Sequence, residues 1–204
     1  MSKPVLAYHV ILTCYGFWLP NDERGSGSRE VFAEHLRRFG EGTLHRADGS
    51  RSVARRKFDC AKADAAKRAL KYPAVKLDGR QAQAIGRAVG EQAERDGLTV
   101  HAFAVMPDHL HALVLRRDRP IEQVASRLKA AATRALVHEG CHPLEAYAEA
   151  GKRPPKLFAR GGRFIFLDSD AAILRTIRYV EQNPIRAGLP AQRWRLVKPY
   201  PLAR

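Results

Sequence analysis

Apolar residues crowd into 5–15, VLAYHVILTCY, where β-branched and aromatic side chains follow one another, and a buried strand is expected there. Gly16-Phe17-Trp18-Leu19-Pro20 closes it, and Asn21 to Ser28 reads as a polar loop. Periodicity is lost over 29–80, which is rich in Arg and Lys and poor in large apolar residues; short helices fit only around 30–39 and 59–70. Order returns at 80–96, where Ala82, Ile85, Ala88, Val89 and Ala93 recur at helical spacing and Gly97 is a stop. Residues 98–106 alternate and 109–115 run apolar, so the Pro107-Asp108 connection makes them a hairpin. Pro120 opens the next helix as its first residue, with Ile121, Val124, Ala125, Leu128, Ala131, Ala132 and Leu136 on one face and Gly140 after its end. A proline-bearing loop over 141–160 leads to a short strand, RFIFL at 163–167. Asp168 or Ser169 caps a last helix that runs to about Gln182, where Asn183-Pro184 is expected to break it. The tail beyond, with Trp194 and Pro201, reads as a loop packed back on the domain.

The order is βαββαβ once the irregular stretch is set aside. It predicts one α+β domain over 1–204, ferredoxin-like, with an antiparallel sheet and helices on one face. Residues 21–80 become a long basic insertion or arm after the first strand.

Charge narrows the choice of partner. Lys and Arg number 36 against 21 Asp and Glu, a formal charge of +15. Nucleic acid is the first candidate, because neutralised phosphates release counterions; an anionic membrane surface is the second, and a basic protein without a polyanionic partner the third. No apolar run is long enough for a membrane-spanning helix, and Met1-Ser2-Lys3-Pro4 lacks the apolar core of a secretory signal. Cys14, Cys60 and Cys141 form neither a CxxC pair nor a zinc pattern and read as small apolar fillers; a cytoplasmic setting is expected.

Two places carry chemistry. His109 and His111 lie two apart on a strand, so both imidazoles point to one face and can chelate a divalent metal. The pair also fits one core histidine beside one hydrogen-bonded histidine. Further on, Tyr179 and Asn183 are four apart on a helix and share a face. A phenol can attack phosphorus, and an amide oxygen can be a third, neutral ligand to Mg²⁺ or Mn²⁺. Gln182 lies about 100° round the helix from Asn183 and is the weaker ligand candidate. By itself this pair also fits a half-buried tyrosine and a helix-end asparagine.

Together the two places resemble a family: the single-tyrosine transposases of the HUH superfamily, and within it the REP-associated tyrosine transposases. The resemblance rests on His9-Val10-Ile11-Leu12-Thr13 through Gly16-Phe17-Trp18-Leu19-Pro20, on Val105-Met106-Pro107-Asp108-His109-Leu110-His111-Ala112-Leu113-Val114, and on Arg178-Tyr179-Val180-Glu181-Gln182-Asn183-Pro184-Ile185-Arg186-Ala187-Gly188-Leu189. It implies metal-assisted cleavage of single-stranded DNA near a hairpin, with Tyr179 as nucleophile and His109, His111 and Asn183 as ligands. The stretch 21–80 departs from compact members and leaves monomer or homodimer open. Trp18 and Phe17 fit either base stacking or core packing, and no residue stands out as a base for the phenolic proton. Two rival readings are a domesticated relative that grips hairpin DNA without cutting it, and a metal-dependent hydrolase with water as nucleophile. The second would need more carboxylates than Asp108 near the histidines.

Overall fold

A computed structural model describes residues 4–19, 31, 33–40 and 59–201. Four strands form one antiparallel sheet: β1 (Ala7–Thr13), β2 (Val100–Val105), β3 (His109–Leu115) and β4 (Arg163–Leu167), in the order β2-β3-β1-β4. β1 and β2 are thus separated by β3, and β3 and β4 by β1. Each pair is joined by a helical crossover that passes over the intervening strand. Between β1 and β2 lie α1 (Cys60–Arg68) and α2 (Gly79–Arg95); α3 (Ile121–His138) joins β3 to β4, and α4 (Asp170–Arg186) follows β4.

The α+β class and the antiparallel sheet agree with the pattern of the chain. Val10, Leu12, Phe103, Leu110, Ala112 and Val114 face one way and meet Ile85 and Val89 of α2 and Val124 and Leu128 of α3. Only these crossover helices share a face. Ile173 and Val180 place α4 on the opposite side, against Ala7, Ala102, Ala104 and Leu113, so helices on one face describes the crossovers alone. The physical reason lies in the strands: β1 is buried on both sides, and Ala102 and Ala104 are small enough to let a helix approach. Burying Ile173 and Val180 contributes about 2 kcal/mol each.

Local signals set the helix ends. Asp78 and Gln81 form a reciprocal capping box at the start of α2, and Ser169 caps α4 through the Ala172 N–H. Pro120 is the cap of α3, one position earlier than expected, with extended backbone. α4 does not stop at Asn183-Pro184. It runs to Arg186, with Pro184 buried inside it, and Leu189 N–H returns to the Pro184 carbonyl. Proline forfeits one helical hydrogen bond there, and the packing of its ring in the last turn offsets that loss.

In the stretch 21–80, a short 3-10 turn at Glu34–Phe39 and α1 match the two expected helices. The loop from Asn21 to Ser28 lies outside the described residues. The end of the stretch is core: Val75 and Leu77 are buried, and their N–H groups donate to the Tyr15 and Pro107 carbonyls at 2.9 and 2.7 Å. The tail packs back, as expected. Gln192 bonds both backbone groups of Val105, and Lys198 N–H donates to Val100, so the edge of β2 is covered. All three cysteines are free; Cys14 is a buried filler, whereas Cys60 is exposed, because it opens α1 on the solvent side.

Candidate active site on the α4 face of the sheet

Strand register builds the site. β1 and β3 pair with Ile11 opposite His111 and Thr13 opposite His109, so His9, His109 and His111 share the sheet face that α4 covers. Tyr179 and Asn183 reach the same place from α4, one turn apart. The four residues singled out by the sequence are therefore brought together.

Three donors converge. His109 Nε2 lies 2.8 Å from His111 Nε2, and the Asn183 side-chain amide lies 2.5 Å from the same His111 atom. A half-turn of that amide exchanges nitrogen for oxygen and offers the carbonyl instead. Gln182 is turned away, its oxygen accepting a hydrogen bond from Arg186.

The other ring nitrogens are occupied. The Asp108 carboxylate accepts from His109 Nδ1 at 2.6 Å, which leaves the lone pair on Nε2. His9 Nε2 sits 2.9 Å from His111 Nδ1; with Nδ1 of His111 donating, its Nε2 also carries a lone pair. In those tautomers the lone pairs of the two nitrogens point at one place, where a divalent cation can be held. Their 2.8 Å spacing is near the edge, about 3 Å, of an octahedron with bonds of about 2.1 Å. Among the described residues no group of three His, Cys, Asp or Glu side chains is placed to hold a metal; the further donor beside the two imidazoles is the Asn183 amide. The donor set fits one divalent ion with open positions.

Electrostatics agree with that use. Burial, then the neighbouring His109 and His9, pushes the His111 imidazole down to about 2. Burial, then Arg163 and His109, pushes His9 down to about 4. Both rings are neutral at physiological pH, as ligation requires. The Tyr179 ring lies 5.6 Å from that of His111 and 5.9 Å from that of His9, and the residue is 44% exposed, so a large substrate can reach its hydroxyl.

Sequence reasoning assigns no role to His9 and leaves Asp108 idle in the turn. The structure makes both of them orienting partners of the histidine pair. For His9 the only signal is its register opposite β3; for Asp108 it is adjacency to His109. Phe17 packs against the core, while the Trp18 ring centroid lies 6.4 Å from that of His109. Trp18 has φ of 55°, a left-handed backbone uncommon for a bulky residue and often found where a site is built.

No family model matches the chain, and no curated protein is detectably similar to it. Among solved structures it is similar to a REP-associated tyrosine transposase bound to a REP hairpin, at 9% identity and a TM-score of 0.47, covering 93% of this chain and 73% of that one. It is also similar to a protein of Deinococcus radiodurans R1 provisionally named a transposase, at 15% identity and a TM-score of 0.42, covering 89% of this chain and 97% of that one. Likenesses this distant transfer neither activity nor ligand.

Proposed function

We propose that this chain is a metal-dependent transposase that cuts and rejoins single-stranded DNA through Tyr179. One observation carries the reading: His109, His111 and Asn183 converge on one point, and Tyr179 stands one helical turn from Asn183 on the same face.

His109, His111 and Asn183 would hold Mg²⁺ or Mn²⁺. When bound, the ion polarises the scissile phosphate and neutralises charge on its oxygens. Tyr179 Oη attacks phosphorus in line; the new O–P bond forms as the bond to the 3′ oxygen breaks, leaving a 5′-phosphotyrosine and a free 3′-OH. The phenolic proton balances the departing alkoxide. A later 3′-OH attacks the phosphotyrosine, restores Tyr179 and joins the strands, so no external energy source enters. His9 and Asp108 keep the two imidazoles in their ligating tautomers. Trp18 beside His109 gives an unpaired base a surface to stack on. The basic residues of the chain would track the phosphate backbone of a hairpin.

Covalent trapping tests this. Purified protein, Mn²⁺ and labelled hairpin DNA from the flanks of its own gene should give an SDS-stable protein–DNA band. Tyr179→Phe should abolish the band, and His109→Ala should reduce it at least a hundredfold, since an oriented ligand supplies several kcal/mol to the transition state. Tight hairpin binding without a band would favour the non-cutting relative. Cutting that survives Tyr179→Phe would favour water as nucleophile.

A further inference from the structure

Tyr179 also borders a cleft that the chemistry above does not use. It has a volume of about 400 Å³ and opens between β1, β4 and α4, with His9, Arg163, Ile165, Arg175 and Tyr179 on its walls. Arg163 begins β4. Arg175, Tyr179 and Asn183 follow one another at four-residue steps, so one face of α4 presents a cation, the nucleophile and a metal donor in line. Each step advances about 6 Å along the helix, comparable to the step between neighbouring phosphates of a DNA strand.

Neither arginine enters an ion pair with a described acidic residue; the pairs formed lie elsewhere, as at Asp96 and Glu139. Arg163 is half-buried, and burial pulls its guanidinium below the ordinary arginine value. Holding a cation partly out of water without a carboxylate is unfavourable unless an anion completes the site. A guanidinium fork matches two oxygens of one phosphate. Ile165 adds an apolar wall beside that contact.

We propose that Arg163 and Arg175 form a phosphate-binding cleft that takes the backbone phosphate next to the one presented to Tyr179. The ligand class is the phosphodiester of a single DNA strand. The inference rests on the single-strand reading above, but binding here needs neither the nucleophile nor the metal.

The test measures binding of a fluorescent oligothymidylate of twelve residues in EDTA, as a function of NaCl, for the full chain, R163Q, R175Q and R87Q. Arg87 lies on α2, on the opposite face of the sheet, and R87Q removes the same charge. Each cleft variant should weaken binding about tenfold and lower the slope of log affinity against log salt by about 0.7, the value for one lost phosphate contact on a single strand. R87Q should stay within about twofold of the unmodified chain. Arg175 is exposed on α4, so R175Q keeps the inference testable even if R163Q fails to fold. Cleft variants that behave like R87Q overturn the cleft and leave the tyrosine chemistry standing. An unmodified chain that does not bind the oligonucleotide overturns both.

Discussion

Burial decides the charge of the two inner histidines. His9 and His111 titrate near 6.5 when the chain is unfolded but near 4 and near 2 in the fold. Below pH 6.5 the unfolded chain takes up protons that the folded chain refuses, so stability falls as pH falls. The loss from His9 levels off near pH 4, and that from His111 continues to about 2. Each histidine withdraws up to about 1.4 kcal/mol per pH unit in this window. Metal-free protein should therefore melt on the order of 10 °C lower at pH 5 than at pH 7 by calorimetry; equal melting points would mean that the rings are not held neutral. His109, His111, Tyr179 and Asn183 are legible in the sequence because each pair is local, at the period of a strand or a helix. His9 is not, since it meets His111 across 102 residues through strand register alone.

The elements are held in place by contacts that local pattern does not carry. α4 continues through Pro184 because its buried stripe, Ile173, Val180 and Pro184, is worth more than one missing hydrogen bond. That continuation keeps Asn183 helical and aimed at His111. Gly86 shows the same conflict of local and distant terms. On an isolated helix Gly→Ala gains up to about 1 kcal/mol. Here a methyl group at Gly86 would overlap the Trp194 ring, which covers α2 and meets Phe103 edge-on at 5.6 Å. Overpacking wins, and Gly86→Ala should destabilise the protein by about 1–3 kcal/mol in urea unfolding. An unchanged or higher midpoint would mean that the tail is not seated on α2. From sequence the tail is legible as a packed loop, but its partner on α2 is not, because a glycine in a helix carries no sign of the ring it admits.

At the scale of the molecule, a chain with a formal charge of +15 carries a site in which burial holds His9 and His111 neutral. In the proposed reaction that charge would supply affinity, and neutral donors would leave the charge of a bound cation undiminished for the phosphate. Single-strand affinity should accordingly fall by roughly 10²- to 10³-fold between about 50 and about 200 mM salt. A flat salt response would remove the polyanion from the account. The α+β class and the antiparallel sheet are legible in the succession of strands and helices. The placement of α4 on the far face is not, because it depends on which side Ala102 and Ala104 leave open. The most direct measurement is to locate the DNA on the protein. Trypsin cuts after Arg178 and Arg186, so the trapped adduct, digested with nuclease and trypsin, should yield the peptide 179–186 with a nucleotide joined through its 5′ phosphate to Tyr179. A nucleotide on any other residue, or cleaved DNA with this peptide unmodified, would contradict the tyrosine mechanism.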